Sequence, residues 1–413
     1  MRALKTSANL VVTLLLGVSS VAQAQTAEVL HWWTSGGESA ALDKVRAAYA
    51  AKGGTWKDTP VAGGSNARAA VVNRMIGGKP PTAFMFSIGK QLDELAEQGL
   101  VGDVNDAATA GKWDAVLPPL IAKASKYDGK YIAAPVNIHG ENWMFYNAAA
   151  LKKAKVEVPK TWPELITAAK TLKAAGITPI ALGGEPWQER ILFNSVLLGV
   201  GGRDHYSKVY GQLDEAAMKS DTMLEVFKTV AALREFVDEG SPGRKWNIAA
   251  NMVMKGSAAF YFMGDWAKGE LVAAGIEPGT TVGCALAPAK DKGYIMTVDA
   301  FAFAKVKDKA SLDAQKLMAN VIMDPAVQIA FNKRKGSIPV RTDVTDPSFD
   351  VCAKLAQETL KDPKTQLASS GLFGLPSAVS GAIDDAISNY WNNRSMTPEQ
   401  GRALFIKTIA GAK

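Results

Sequence analysis

Short apolar runs alternate with amphipathic stretches over the first quarter of the chain. Residues 28–33 (EVLHWW) read as a strand and 34–38 as a turn, and Ser39 can cap a helix with Leu42, Val45 and Tyr49 on one face. A polar loop, Ala62-Gly63-Gly64-Ser65-Asn66, precedes a second helix whose Val71, Val72, Met75 and Ile76 are apolar and which ends at Gly77. Pro80-Pro81 breaks the chain before the strand-like 83–86, and a helix over about 91–98 stops at Gly99. Strand, loop and helix repeated in this way predict an α/β domain with a largely parallel sheet.

The pattern continues. Residues 131–136 and 142–147 are adjacent strand-like runs, and 177–182, 258–263, 281–286 and 300–304 are further strands. Thr161-Trp162-Pro163-Glu164 is a helix start, with a capping Thr, Pro in the first turn and Glu three residues after the cap. Residues 188–198 and 220–239 read as helices, and the chain is mostly helical after Ser311, interrupted at 335–339 and by the Gly/Ser-rich 369–381. No repeat of 20–50 residues and no Pro- or Ser-rich linker is present. An α/β pattern this long without a tether predicts domains that share crossing segments.

The first residues are read separately. Arg2 and Lys5 precede the apolar run 10–18, and Ala22-Gln23-Ala24 follows. That run is about half the roughly 20 residues a spanning helix needs. The arrangement predicts a secretory signal over 1–24, cut after Ala24, with a buried first helix as the alternative. No Cys follows the expected cut, which argues against a lipid anchor.

A chain of 413 residues with 47% hydrophobic and 21% charged residues is neither disordered nor a membrane bundle. The formal charge of +7 loses Arg2 and Lys5 with the leader, and the rest is scattered. The densest cluster is Lys333-Arg334-Lys335, too small a run to argue for nucleic acid. An oxidising compartment permits a disulfide between the two cysteines, Cys284 and Cys352, with two buried free thiols as the alternative. Their spacing does not fit a zinc site.

Catalytic signatures such as HExxH, a P-loop, CxxC and GxSxG are missing. Gly199-Val200-Gly201-Gly202 lacks GxGxxG spacing and reads as a loop, and His31, His139 and His205 are far apart in sequence. What stands out is tryptophan. Trp32-Trp33 ends the first strand, Trp187 follows Gly183-Gly184-Glu185-Pro186, and Trp266 follows Gly264-Asp265, each near a carboxylate or amide. An indole offers a flat apolar face with one polar handle. A pyranose matches it, with a C–H face to stack and a rim of hydroxyls that carboxylates accept strongly. Ordinary core filling accounts for any one of these tryptophans. Together, at strand ends, they favour a cleft, since ligands of open α/β sheets bind at the carboxyl ends of strands.

Several segments carry a family resemblance along nearly the whole mature chain. They are Leu30-His31-Trp32-Trp33-Thr34-Ser35-Gly36-Gly37-Glu38, Gly77-Gly78-Lys79-Pro80-Pro81-Thr82-Ala83, Gly183-Gly184-Glu185-Pro186-Trp187-Gln188, Phe262-Met263-Gly264-Asp265-Trp266, Thr297-Val298-Asp299-Ala300-Phe301 and Arg334-Lys335-Gly336-Ser337-Ile338-Pro339. The chain resembles family 1 of the bacterial extracellular solute-binding proteins, and within it the glucose/mannose-binding subunits of ABC importers. The resemblance implies a type II periplasmic-binding-protein fold: two α/β lobes, a ligand cleft between them, and crossings near 136–140, 297–301 and 341–347. The expected lobes are 25–138 plus 299–344 and 139–298 plus 345–413. It also implies hinge closure on ligand and docking of the closed form on an inner-membrane permease. A monomer in the periplasm, with no cofactor, metal or nucleic acid, is expected.

The family's sugar-site motifs fall on Trp32, Trp33, Glu38, Asn66, Gln188, Trp266, Asp299 and Lys335. Trp33 or Trp266 would stack on the sugar, Glu38 and Asp299 would accept, and Gln188, Asn66 and Lys335 would donate. His139 lies at an expected crossing and is a weaker candidate. Hexose-binding members tend to carry a Lys or His after the strand matching 83–86, where this chain has Ile88 with Lys90 two residues on. They also tend to carry a late-loop His, where it has Pro376-Ser377. Two alternatives compete. An exported glycoside hydrolase would draw its acid pair from Glu38, Glu141, Asp265 and Asp299. The same scaffold binding a non-sugar solute would want an Arg for a carboxylate, yet the motif segments are richer in Trp and acids. On this reading Trp33→Ala abolishes most sugar affinity and leaves the fold intact.

Overall fold

A computed structural model describes residues 25–413, so the signal expected over 1–24 lies outside the described residues. The chain begins β1 (Gln25–His31), α1 (Gly36–Ala51), β2 (Gly54–Pro60), α2 (Gly64–Ile76), β3 (Ala83–Ser87). Helix α1 starts before the expected cap. The Ser35 hydroxyl accepts the Glu38 N–H, and Glu38 Oε2 accepts the Ser35 N–H at 3.2 Å, a reciprocal capping box. Leu42, Val45 and Tyr49 are buried as the periodicity predicts. Strand β2 was not expected. Its GTWKDTP carries little apolar signal because it is an edge strand with exposed positions at both ends.

Later strands are β4 (Ala133–Pro135), β5 (His139–Gly140), β6 (Trp143–Asn147) and β7 (Thr178–Ala181), followed by α3 (Pro186–Tyr206), β8 (Ala258–Met263) and α4 (Ala267–Ala273). Then come β9 (Val282–Leu286), β10 (Gly293–Thr297), β11 (Asp299–Phe303), α5 (Lys309–Ile322), α6 (Pro325–Lys335), α7 (Val351–Lys361), β12 (Gln366–Ser369) and α8 (Ser377–Asn392). The glycine cluster 199–202 is not a free loop. The α3 span runs through it and breaks at Gly202, whose φ is 72°. A side chain at Gly199 would collide with the Trp162 indole and the Pro288 carbonyl, so glycine is kept for close packing.

The first main sheet has the order β2-β1-β3-β11-β4. Its first three strands are parallel, while β11 runs antiparallel to both β3 and β4. The second, β9-β6-β8-β7, has β7 parallel to β8 and the other pairs antiparallel. Both sheets are mixed where a largely parallel one was expected. A small third sheet, β12-β10-β5, lies on the passages between them.

These passages are where the two halves join. The chain leaves the first sheet at β4 and enters β5 four residues later, and it returns from β10 to β11 across Val298 alone. The two passages run side by side: Thr297 pairs with His139, and the Val136 N–H donates to the Asp299 carbonyl at 2.9 Å. The bridge Ile138–Ile338 brings a third segment alongside. Crossing strands joining two α/β layers make the two-lobe architecture that the motif order implied. Among the described residues no helix is long and apolar enough to cross a membrane.

Cys284 on β9 and Cys352 on α7 form a disulfide across a sequence separation of 68, with Cα atoms 6.1 Å apart. Closing a loop of that length restricts the unfolded chain by about 4 kcal/mol in a chain-entropy estimate. The Cys284→Ala/Cys352→Ala double variant is expected to lose about 2–4 kcal/mol of unfolding free energy in urea titration. An unchanged midpoint would show that the bond does not constrain the fold.

Candidate ligand-binding cleft

The carboxyl ends of β1 and β3, the N-terminal turn of α2 and the end of α6 face the N-terminus of α3, residues 245–247 and Trp266. Between them lies a cavity of about 340 Å³. The crossing segments supply its floor through His139, Thr297 and Asp299. This volume falls at the small end of the range for small-molecule sites.

The floor is a chain of polar contacts. The His139 ring Nδ1 bonds Asp265 Oδ1, and Asp265 Oδ2 accepts the Gly140 N–H at 3.0 Å. On its other side His139 Nε2 lies 3.3 Å from Asp299 Oδ2 and 2.8 Å from Asn137 Nδ2, and Asn137 Oδ1 accepts the Asp299 N–H at 3.0 Å. Burial works against a charged His139, but the carboxylates of Asp265 and Asp299 outweigh it and raise its pKa. Burial pushes the Asp299 carboxyl up, and the His139 hydrogen bond and the Lys335 charge bring it below the usual value.

Six of the eight expected residues line the cavity: Trp32, Trp33, Glu38, Trp266, Asp299 and Lys335. Their arrangement differs from the expected one. Trp33 is only 1% exposed and packs on Phe301 and Phe331, with ring centroids 5.7 and 5.2 Å away. Lying just past the end of β1 (Gln25–His31), it backs the wall, wedged against Phe301 of β11 and Phe331 of α6. Lys335 sits between indoles, its Nζ 5.4 Å from the Trp33 ring centre, 5.8 Å from that of Trp266 and 3.5 Å from Glu38 Oε1. It ends α6 just before Gly336, whose φ of 88° and tight fit against the Asp265 carbonyl exclude a side chain.

Asn66 and Gln188 do not line the cavity. Asn66 is exposed and donates to the Ala62 carbonyl at 3.2 Å, closing the loop whose other residues do line it. Gln188 is fully buried and donates to Glu185 Oε2 at 2.8 Å, so it orients a lining carboxylate. The positions where hexose-binding relatives place Lys and His are also turned away. Ile88 is buried, Lys90 pairs with Glu97, and Ser377 bonds Glu94. Ser87 lines the wall there instead.

The sequence reading passed over Arg68, Arg190, Lys245 and Trp246, which all line the cavity, and weighed Glu141 only as a hydrolase acid. No motif marked the cations; Arg68 and Lys245 follow small or polar residues, and Arg190 lies in the apolar run of α3. Four partly exposed indoles, Trp32, Trp187, Trp246 and Trp266, thus line the cavity together with four residues that keep a buried polar atom without a hydrogen bond among the described residues: Ser87 Oγ, Glu141 Oε2, Arg190 Nη1 and Thr297 Oγ1. Buried polar atoms are nearly always bonded, so unbonded ones on residues that line a cavity are candidates to meet a ligand's polar groups. Among the described residues no group of three or more His, Cys, Asp or Glu side chains is placed to hold a metal ion.

Two α/β sheets joined by crossing strands around a cleft are the two-lobe architecture of receptors for small solutes. The chain belongs to the bacterial extracellular solute-binding proteins, whose family profile matches residues 33–328. It is 42% identical over 406 residues to a probable sugar-binding periplasmic protein of Brucella melitensis biotype 1, covering 96% of each chain. It is 40% identical over 412 residues to a protein of the same description from Rhizobium meliloti, covering 98% of each. In fold it is similar to a chitin oligosaccharide binding protein of known structure, with a TM-score of 0.82 and 22% identity over 94% of this chain and 99% of that one. Members of this family are transport receptors and not enzymes, which sets the glycoside-hydrolase alternative aside. The protein works in the periplasm.

The Glu141 carboxyl is 2% exposed, and burial raises its pKa against the pull of Arg190, whose Nη1 lies 3.9 Å from Oε2. A carboxyl raised on folding binds its proton more tightly in the native state. Stability therefore falls as pH rises above the unfolded value of 4.5 and levels off beyond the folded one. Glu141→Gln is expected to melt higher than wild type at pH 7 and level with it near pH 4, read by differential scanning calorimetry. A lower melting point at pH 7 would show that pairing with Arg190 outweighs burial.

Proposed function

We propose that this chain is the sugar-capturing subunit of an ABC importer. It holds one mono- or disaccharide-sized ligand between two lobes, as a monomer, and presents the closed form to a membrane permease. The observation that carries this reading is the cleft's composition. Indoles line it together with residues whose buried polar atoms lack a hydrogen bond, which suits a pyranose with apolar C–H faces and a hydroxyl rim. The sugar-binding descriptions of relatives at about 40% identity support it. The lobes proposed are 25–138 plus 299–344 and 139–298 plus 345–413, hinged on the paired passages at Thr297 and His139.

Within the site, Trp266 is the stacking ring. It is partly exposed, its centroid lies 6.3 Å from that of Trp187, and the His139 ring meets it edge-on at 5.2 Å. Asp299 and Glu141 accept hydroxyl hydrogens, while Ser87, Thr297 and Arg190 complete the polar set.

Intrinsic fluorescence titrated against a panel of mono- and disaccharides tests the reading; no response to any of them at millimolar concentration would overturn it. Trp266→Ala is expected to weaken the best ligand at least about tenfold with little change in melting point. Trp33→Ala is expected to cost about 3–5 kcal/mol of stability, the penalty of emptying a core position. Loss of affinity without loss of stability in Trp33→Ala would restore that ring as the stacking surface.

A further inference from the structure

The cations of the cleft differ in one respect: whether a carboxylate answers them. Lys335 faces Glu38 at 3.5 Å, Lys245 holds Glu185 at 2.6 Å, and Arg190 Nε donates to Asp384 at 2.5 Å. Arg68 has no hydrogen bond or ion pair to any of the described residues. It projects from the second turn of α2, with its guanidinium carbon 5.4 Å from the Trp32 ring centre and its terminal nitrogens over Gly64.

Its surroundings are also positive. Helix α2 begins at the Gly63 cap, which offers no side-chain acceptor, and its first turn holds no acid, so its leading N–H groups face the cleft uncapped beside Gly63, Gly64 and Ser65. Arg190 is 3% exposed and lines the same cavity, and its Nη1 makes no hydrogen bond, the Glu141 carboxyl lying 3.9 Å away. Burial and the charge of Arg190 bring the Arg68 pKa down to about 10 against the opposing pull of the Asp384 and Asp299 carboxylates, neither of which reaches it as an ion pair. An unanswered guanidinium, a second one with a free N–H and an uncapped helix start therefore meet in one corner.

The acceptors elsewhere in the cleft are largely occupied. Glu38 takes two backbone N–H groups of its own turn and faces Lys335. Glu185 takes the Trp187 indole N–H, the Gln188 amide and Lys245. A neutral sugar, whose hydroxyls each donate as well as accept, leaves the Arg68 corner with charge unmatched.

We infer that the sugar taken by this cleft carries a single carboxylate, as in a uronic acid, and that Arg68 and the N-terminal turn of α2 hold it while the indoles hold the ring. This rests on the sugar-receptor reading above and specifies its ligand class. One unanswered cation calls for one negative charge, which favours a carboxylate over a phosphate dianion. The planar guanidinium also fits a carboxylate through two parallel bonds.

Calorimetric titration of the full mature chain with galacturonate, glucuronate, galactose, glucose, the hexose 6-phosphates and acetate tests this, in wild type, Arg68→Gln and Arg68→Lys. The expected result is a uronate bound at least about tenfold tighter than its parent hexose, as a charge-assisted hydrogen bond provides. That preference should collapse in Arg68→Gln and survive in part in Arg68→Lys, with melting points of the three proteins alike. A parent hexose bound as tightly as its uronate, or a preference that persists in Arg68→Gln, overturns the inference and leaves the sugar reading standing. A hexose phosphate bound more tightly than either uronate overturns the single-charge assignment. Binding of acetate with no response to any sugar overturns both.

Discussion

The floor of the cleft must bury charged groups where strands pass between sheets, and the Asp265–His139–Asp299 chain is how this fold meets that constraint. A buried carboxylate without a partner is costly, and removing one member of a buried set leaves the others uncompensated. Here Asp265 is bonded by the His139 ring and the Gly140 N–H, and Asp299 is approached by His139 and Asn137. The same residues lie on the paired passages, since Thr297 pairs with His139 and the Asp299 N–H is held by Asn137. The passages between the sheets and the floor of the cleft are therefore one structure. A ligand that bonds Asp299 or Thr297 acts on the segments about which the lobes would move.

Satisfying the floor internally also decides which groups are left for a ligand. Where the crossing strands and Gly336 close the packing, polar atoms find protein partners. Around the cavity, on the walls and on the crossing strand alike, Ser87, Glu141, Arg190 and Thr297 keep one atom each without a hydrogen bond. The indoles of Trp187, Trp246 and Trp266 come from three separate segments of one wall and Trp32 from the other, so each wall by itself presents only part of the surface. Enclosure needs both walls.

Much of this was legible in order along the sequence. The strand ending in Trp32-Trp33, the carboxylate at Glu38, the strand leading into Asp265-Trp266 and the Thr297–Asp299 motif are local patterns, and all reach the cleft. Local pattern failed where the decisive contact is distant. Ser39 looked like a cap because the Ser35–Glu38 reciprocity depends on turn geometry that apolar periodicity does not show. Strand β2 has almost no apolar signal because its pairing with β1 supplies the stability. Gln188 sits one residue from a lining Trp, yet a helix rotates neighbours by about 100°, and its side chain turns back to Glu185. Arg68 and Arg190 lie on helices of opposite walls, and only the closed packing of two sheets brings their charges within mutual influence.

That last juxtaposition changes how the cleft's charge is read. Counted along the motif segments, acids outnumber arginines and a neutral, hydroxyl-rich ligand follows. Weighed by what each group already bonds, the order reverses. Glu38 is bound up in its own helix cap and Lys335, and Glu185 in an indole, an amide and a lysine. Among the described residues Arg68 has no hydrogen bond or ion pair, the Asp384 and Asp299 carboxylates acting on it only from a distance, and Arg190 Nη1 makes no hydrogen bond, with Glu141 Oε2 3.9 Å away. Among the acids, Glu141 resists ionisation by burial, and Asp299 is engaged by His139. The cleft is thus rich in acids by composition but rich in unmatched donors by geometry. A site rejects ligands that leave its buried donors unpaired, so specificity follows from the second count and not the first.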